Sequence, residues 1–112
     1  PAMLTDKDRL FQILCVFMDN AIQHSKNNSL IEIEVIATEK NIAFSVADHG
    51  QGISDEDKQY IFDRFYSGDK SHANFGLGLS IAKELTQMLN GTITINDTAG
   101  GGATFTVKFP LK

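Results

Sequence analysis

The chain has 112 residues, 42% hydrophobic and 21% charged, which is the composition of one folded domain and excludes a disordered segment. Ten basic residues against fourteen acidic ones leave a formal charge of −4 with no Lys/Arg cluster, so nucleic acid is not an expected partner. The longest apolar run, residues 13–18, is far short of the ~20 residues a membrane-spanning helix needs, and nothing resembles a signal peptide.

Pro1-Ala2-Met3 has no structural logic of its own, and the chain reads as one domain, residues 1–112, cut from a longer protein. Leu10, Ile13, Leu14, Phe17 and Ala21 recur at steps of three and four, which predicts an amphipathic helix from Thr5 or Asp6 to His24. Cys15 lies inside its apolar run and reads as a small core residue; with three scattered histidines it makes no zinc site. After Asn27-Asn28-Ser29, the alternation Ile31-Glu32-Ile33-Glu34-Val35 predicts a strand with one apolar face. Ile42, Phe44 and Val46 predict its hairpin partner. Ser54-Asp55-Glu56-Asp57 reads as a capping box opening a short helix toward Phe65. Residues 67–75 have no period and read as a loop. Leu77, Ile81, Leu85, Met88 and Leu89 mark a third helix, ended by Asn90-Gly91. Residues 92–97 and 103–109 alternate again around Gly100-Gly101-Gly102. The order αββααββ predicts an α+β fold, a two-layer sandwich with a mixed, mostly antiparallel sheet packed on three helices.

Four constellations carry possible chemistry. Asp48 falls in phase with Ile42, Phe44 and Val46, so the strand's inward face ends in a carboxylate that requires a donor. Either it caps its own turn, or it accepts from a ligand such as an adenine amino group. In the second case Gly50 and Gly52 admit the flat base and Ile53 walls it. Asn20 lies on one helical row with Val16 and His24, beside the apolar stripe. Its amide either bonds a neighbouring loop or offers an oxygen to Mg²⁺. Phe75-Gly76-Leu77-Gly78-Leu79-Ser80 is a glycine-rich loop feeding a helix, an anion site in principle, but neither a dinucleotide fingerprint nor a Walker A loop. Ile61-Phe62-Asp63-Arg64-Phe65-Tyr66 reads by itself as core aromatics beside a surface ion pair.

In this order the four resemble the catalytic ATP-binding domain of sensor histidine kinases, whose fold is shared with gyrase B, Hsp90 and MutL. Asp19-Asn20-Ala21 looks like the N box, residues 48–52 the G1 box, residues 62–65 the F box and residues 76–80 the G2 box. The F box points to the kinases within that group. The resemblance implies a Bergerat-type fold and transfer of the ATP γ-phosphoryl group to a histidine on a separate dimerisation and phosphoacceptor domain. It implies that Asn20 is catalytic and holds Mg²⁺ against the phosphates, and that Asp48 accepts from adenine. Gly50, Gly52 and Ile53 would frame the base, and Phe65, Tyr66 and Thr104 would also line the nucleotide site. Residues 67–75 would form a lid. Gly76, Leu77, Gly78, Leu79 and Ser80 would contact the phosphates.

Several positions depart from the family pattern. Val16 stands where a kinase usually has Asn and the gyrase branch has Glu, which implies weak ATP hydrolysis. Gln23 stands where a basic residue is common, so His24, Lys26, or Lys70 and His72 in the lid are candidates to meet the phosphates. The lid is short and lacks the usual second glycine before Gly76. No acceptor histidine is evident, since His24, His49 and His72 all fall within the ATP-domain motifs. The expected partners are upstream acceptor helices and, indirectly, a response regulator; the module by itself is expected to be a cytoplasmic monomer without membrane contact, its parent anchored in the cell membrane. The alternatives are a degenerate ATP-binding module acting by docking, an anti-sigma-type serine kinase, and a structural module without a ligand.

Overall fold

A computed structural model describes residues 6–25, 28–63 and 78–111. Helix α1 spans Lys7–His24, and Asp6 caps it by accepting from the backbone N–H groups of Asp8 (3.0 Å) and Arg9 (3.2 Å). Its buried residues include Ile13, Phe17 and Ala21, three members of the predicted stripe. Strands β1 (Glu32–Ala37) and β2 (Asn41–Ala47) form an antiparallel hairpin. The Thr38 hydroxyl braces its turn, accepting from the N–H groups of Lys40 and Asn41. Helix α2 is the single turn Asp55–Lys58, with Ser54 as N-cap accepting from Asp57 N–H at 3.1 Å. Helix α3 runs Gly78–Met88, and the chain leaves it through Asn90 in the left-handed region (φ 61°). Strands β3 (Thr92–Asp97) and β4 (Ala103–Pro110) complete the sheet.

The sheet order is β1-β2-β4-β3, and every described pairing is antiparallel. The two-layer α+β expectation is met, without the parallel component that a mixed sheet would add. Alternate residues of β4, namely Ala103, Phe105, Val107 and Phe109, point into the core. Phe105 packs against Phe17 (ring centroids 5.3 Å) and edge-on against Phe62 (6.2 Å), so one strand residue joins α1 to the segment after α2. Leu79 and Ala82 of α3, which packs against α1, join the same core. Lys58 donates to Asp55 (3.0 Å) and Asp97 (2.7 Å), which ties α2 to the end of β3. Those contacts, Asp97 first, hold its ammonium above the usual lysine pKa.

Strand β1 forms as expected, with Ile33 and Val35 on one face and Glu32 and Glu34 on the other, and as an edge strand it leaves all six residues exposed. Other expectations require correction. The α-helix at residues 55–58 does not extend toward Phe65; Tyr60 N–H bonds Asp57 C=O and Asp63 N–H bonds Tyr60 C=O, the i→i+3 pattern of turns. On α3 the buried residues are Leu79, Ser80, Ala82 and Thr86, while Met88 is exposed. The Thr86 hydroxyl donates to Ala82 C=O at 2.7 Å, so a polar residue enters the core at little cost. Cys15 is only half-buried, on the flank of α1.

Candidate functional site

Asp48 follows β2 directly and is 2% exposed. Its backbone N–H donates to Ala103 C=O (2.9 Å), which continues the sheet ladder one step past the strand. Its Oδ1 accepts from Ala103 N–H (3.2 Å) and Gly50 N–H (3.0 Å). The first of the two alternatives for this carboxylate, the turn cap, is what the structure shows. Oδ1 caps the turn, and among the described residues Oδ2 takes part in no hydrogen bond.

Glycine is required on two sides of this carboxylate. A Cβ on Gly102 would lie 2.1 Å from Asp48 O and 2.9 Å from Oδ1, at a φ of +112°. A Cβ on Gly50 would lie 2.0 Å from His24 O. The space that Gly50 leaves is thus filled by the end of α1. Gly52 (φ +78°) turns the chain beside Gly102.

From α1, Asn20 is 7% exposed. Asn20, His24, Asp48, Gly52, Ile53 and Ala103 line one cavity of about 10 Å³, the volume of a single water-sized sphere. Among the described residues the Asn20 side chain enters no hydrogen bond, an uncommon state for so buried an amide. Burial pushes the His24 imidazole below its usual pKa, and the nearby Asp48 carboxylate opposes that shift. An open groove of about 480 Å³ adjoins the cavity, shares Gly52 and Ile53, and continues to Ser54, Asp97 and Gly101.

The sequence-predicted residues divide into three groups. Asn20, His24, Asp48, Gly52 and Ile53 come together at the cavity, with Gly50 directly behind the carboxylate. Gly78, Leu79 and Ser80 form the first turn of α3; Leu79 points into the core, and Gly78 lies against α1, where a Cβ would sit 3.5 Å from Val16 Cγ1. Gln23 is exposed on α1. Thr104 is not brought to the cavity. It alternates with the core residues of β4, so it lies on the opposite face of the sheet, with its hydroxyl 2.9 Å from that of Thr98. Lys26, Phe65, Tyr66, Lys70, Gly76 and Leu77, with the lid at 67–75, lie outside the described residues.

Sequence reasoning missed the backbone of Ala103, which supplies both a donor and an acceptor to Asp48. Its only trace is the glycine run just before it. Also missed is His49, whose Nε2 lies 2.7 Å from Glu32 Oε1 and ties the turn to β1. For Mg²⁺, no group of three His, Cys, Asp or Glu among the described residues could cage a cation. The neutral oxygen of Asn20 fits an ion held mainly by phosphates and water.

The sequence matches over residues 5–112 the family described as histidine kinase-, DNA gyrase B-, and HSP90-like ATPase. The chain belongs to that family. It is 40% identical over 114 residues to sensor protein CiaH of Streptococcus pneumoniae, a match covering 98% of this chain and 26% of the relative. It is 41% identical over 102 residues to the signal transduction histidine-protein kinase ArlS of Staphylococcus haemolyticus, covering 88% of this chain and 22% of that protein. The chain thus spans about a quarter of the length of these curated relatives. The solved catalytic domain of histidine kinase ThkA superposes with a TM-score of 0.86 at 27% identity, over 97% of this chain and 71% of that one. Full-length ShkA in complex with AMPPNP gives 0.86 at 31% identity, over 99% and 23%.

Proposed function

We propose that this chain binds MgATP and transfers its γ-phosphoryl group to a histidine on a separate helical domain of a sensor kinase. The observation that carries this reading is the convergence of buried Asn20 and Asp48 on one cavity, Asn20 without a hydrogen-bond partner among the described residues. Asp48 Oδ2 would accept from the adenine amino group, since Oδ1 is held by two backbone donors. Ile53 would wall the base. Asn20 would hold Mg²⁺ against the phosphates. In the transfer, the bond from phosphorus to the ADP oxygen breaks as a bond to the acceptor imidazole nitrogen forms. The chain would contribute positioning and charge stabilisation to that step. The nucleotide in the ShkA complex supports the ligand class. On this reading the module works on the cytoplasmic side with its parent anchored in the membrane; among the described residues no helix is long and apolar enough to cross one.

Calorimetric titration of MgATP, or a slowly hydrolysed analogue, into the chain and into Asp48→Asn tests the proposal. Micromolar binding is expected, weakened in the variant by about 1–3 kcal/mol, roughly 5- to 150-fold, because a buried donor loses its match. Absence of binding to both proteins would overturn it.

One observation favours a second reading, nucleotide-dependent docking without phosphotransfer. Val16 is packed on the core next to Gly78, so this turn of α1 offers the phosphate side no polar group. Phosphorylation of a supplied acceptor domain with labelled ATP separates the two readings.

A further inference from the structure

The four strands end together beside the candidate site. Glu32 pairs with Ala47, Ala47 with Thr104, and Asp97 with Ala103, so the first residues of β1 and β4 and the last of β2 and β3 form one rim. Residues 48–58 leave β2 and cross that rim, carrying Asp48, Gly50, Gly52 and Ile53. Little backbone bonding holds the crossing. Asp48 N–H donates to Ala103 C=O, and the next backbone–backbone bond along the segment is Lys58 N–H to Ser54 C=O, within α2 itself. Among the described residues the backbone of 49–53 bonds no other backbone group, and Gly50 N–H reaches the side chain of Asp48. The position of the segment therefore falls to side chains.

Two of them lie at its ends. His49 Nε2 donates to Glu32 Oε1 at 2.7 Å, and Lys58 Nζ donates to Asp97 Oδ1 at 2.7 Å. In the order β1-β2-β4-β3, Glu32 and Asp97 belong to the two outermost strands, so the contacts grip opposite edges of the sheet. Lys58 also pairs with Asp55, but that contact stays inside α2, and Asp97 alone carries the link to the sheet. Between the two contacts lies Ile53, packed against the core and lining both the cavity and the groove. Each pair is a surface contact of small worth to the whole fold, with Glu32 56% and Asp97 69% exposed. A segment without ladder bonds needs no more than that to be ordered.

We propose that His49 and Lys58 are positioning residues: through Glu32 and Asp97 they pin residues 48–58 to both edges of the sheet, and so hold Gly52 and Ile53 in the arrangement that receives a nucleotide base. This rests on the nucleotide reading above. Without the pins the segment samples other conformations, and the apparent affinity falls with the fraction of molecules that remain competent.

The test compares MgATP titration and hydrogen exchange in the parent chain, His49→Leu, Lys58→Met and Asp97→Asn. Each variant should bind about two- to fivefold more weakly. Faster exchange should be confined to residues 49–58, with the amides of Asn41–Ala47 and Ala103–Pro110 unchanged. His49→Gln, which keeps a donor at similar reach, should recover both readouts, as should Lys58→Glu combined with Asp97→Lys. Parent-like affinity in all three variants, with the parent binding, would overturn the inference and leave the nucleotide reading standing. So would faster exchange spread through β2 and β4, since the pairs would then act on the whole fold. Absence of binding to the parent would overturn the nucleotide reading, and this inference with it.

Discussion

At the scale of single residues, the site depends on two close backbone approaches around Asp48. Gly102→Ala places a Cβ 2.1 Å from Asp48 O in a left-handed conformation, and Gly50→Ala places one 2.0 Å from His24 O. In each case backbone must move, so each substitution should cost about 2 kcal/mol or more and lower the urea midpoint. The Gly102 variant should also weaken nucleotide binding, since its Cβ meets the carboxylate itself. His24 gives a pH signature. Burial depresses its folded pKa below the ordinary 6.5, so the unfolded chain binds a proton that the native one resists. Its contribution to stability is fully present above about pH 6.5 and is lost as pH falls through the folded pKa. Urea midpoints measured from pH 8 to pH 5 should fall less steeply in His24→Gln than in the parent. Asp48 and Asn20 were legible in the sequence because a polar residue in phase with an apolar stripe is conspicuous. Ala103 was not legible, since it acts through its backbone and stands 55 residues from the carboxylate it serves.

At the scale of elements, local signals located α1 and β1 closely but did not fix the burial of β1. The Asp6 cap and the row Ile13, Phe17, Ala21 are local and periodic, and the helix begins and packs as they require. Asp6→Ala removes the acceptor of two backbone N–H groups and should cost about 1 kcal/mol, measurable in the thermal midpoint. The alternation of β1 is equally clean, yet both faces are exposed, because burial depends on what lies above a strand. Helix α3 gives the same lesson in rotation. Its buried residues include Ser80 and Thr86, which a pattern of large apolar residues passes over. Thr104 follows as well. A one-residue step along β4 exchanges sheet faces, and it is neighbouring Ala103 that faces the cavity.

At the scale of the whole molecule, the core is organised around β4, flanked by β2 and β3 and covered by the helices. Phe105 is its central contact, touching Phe17 and Phe62. Phe105→Ala should cost about 3–5 kcal/mol. In a domain whose total stability is about 5–15 kcal/mol, that loss should leave chemical denaturation shifted to low urea or the chain unfolded. Asp48 begins where β2 ends against β4, so loosening this core should weaken nucleotide binding together with stability.

The sequence alone determined most element types, the family resemblance and the candidacy of Asn20 and Asp48, because side-chain periodicity and short polar motifs are local properties. The tertiary structure decided which glycine voids are filled by backbone, which oxygen of Asp48 the backbone holds, and which apolar side chains stay exposed among the described residues. Those outcomes depend on the distance between segments far apart in the chain, and no local pattern encodes that distance.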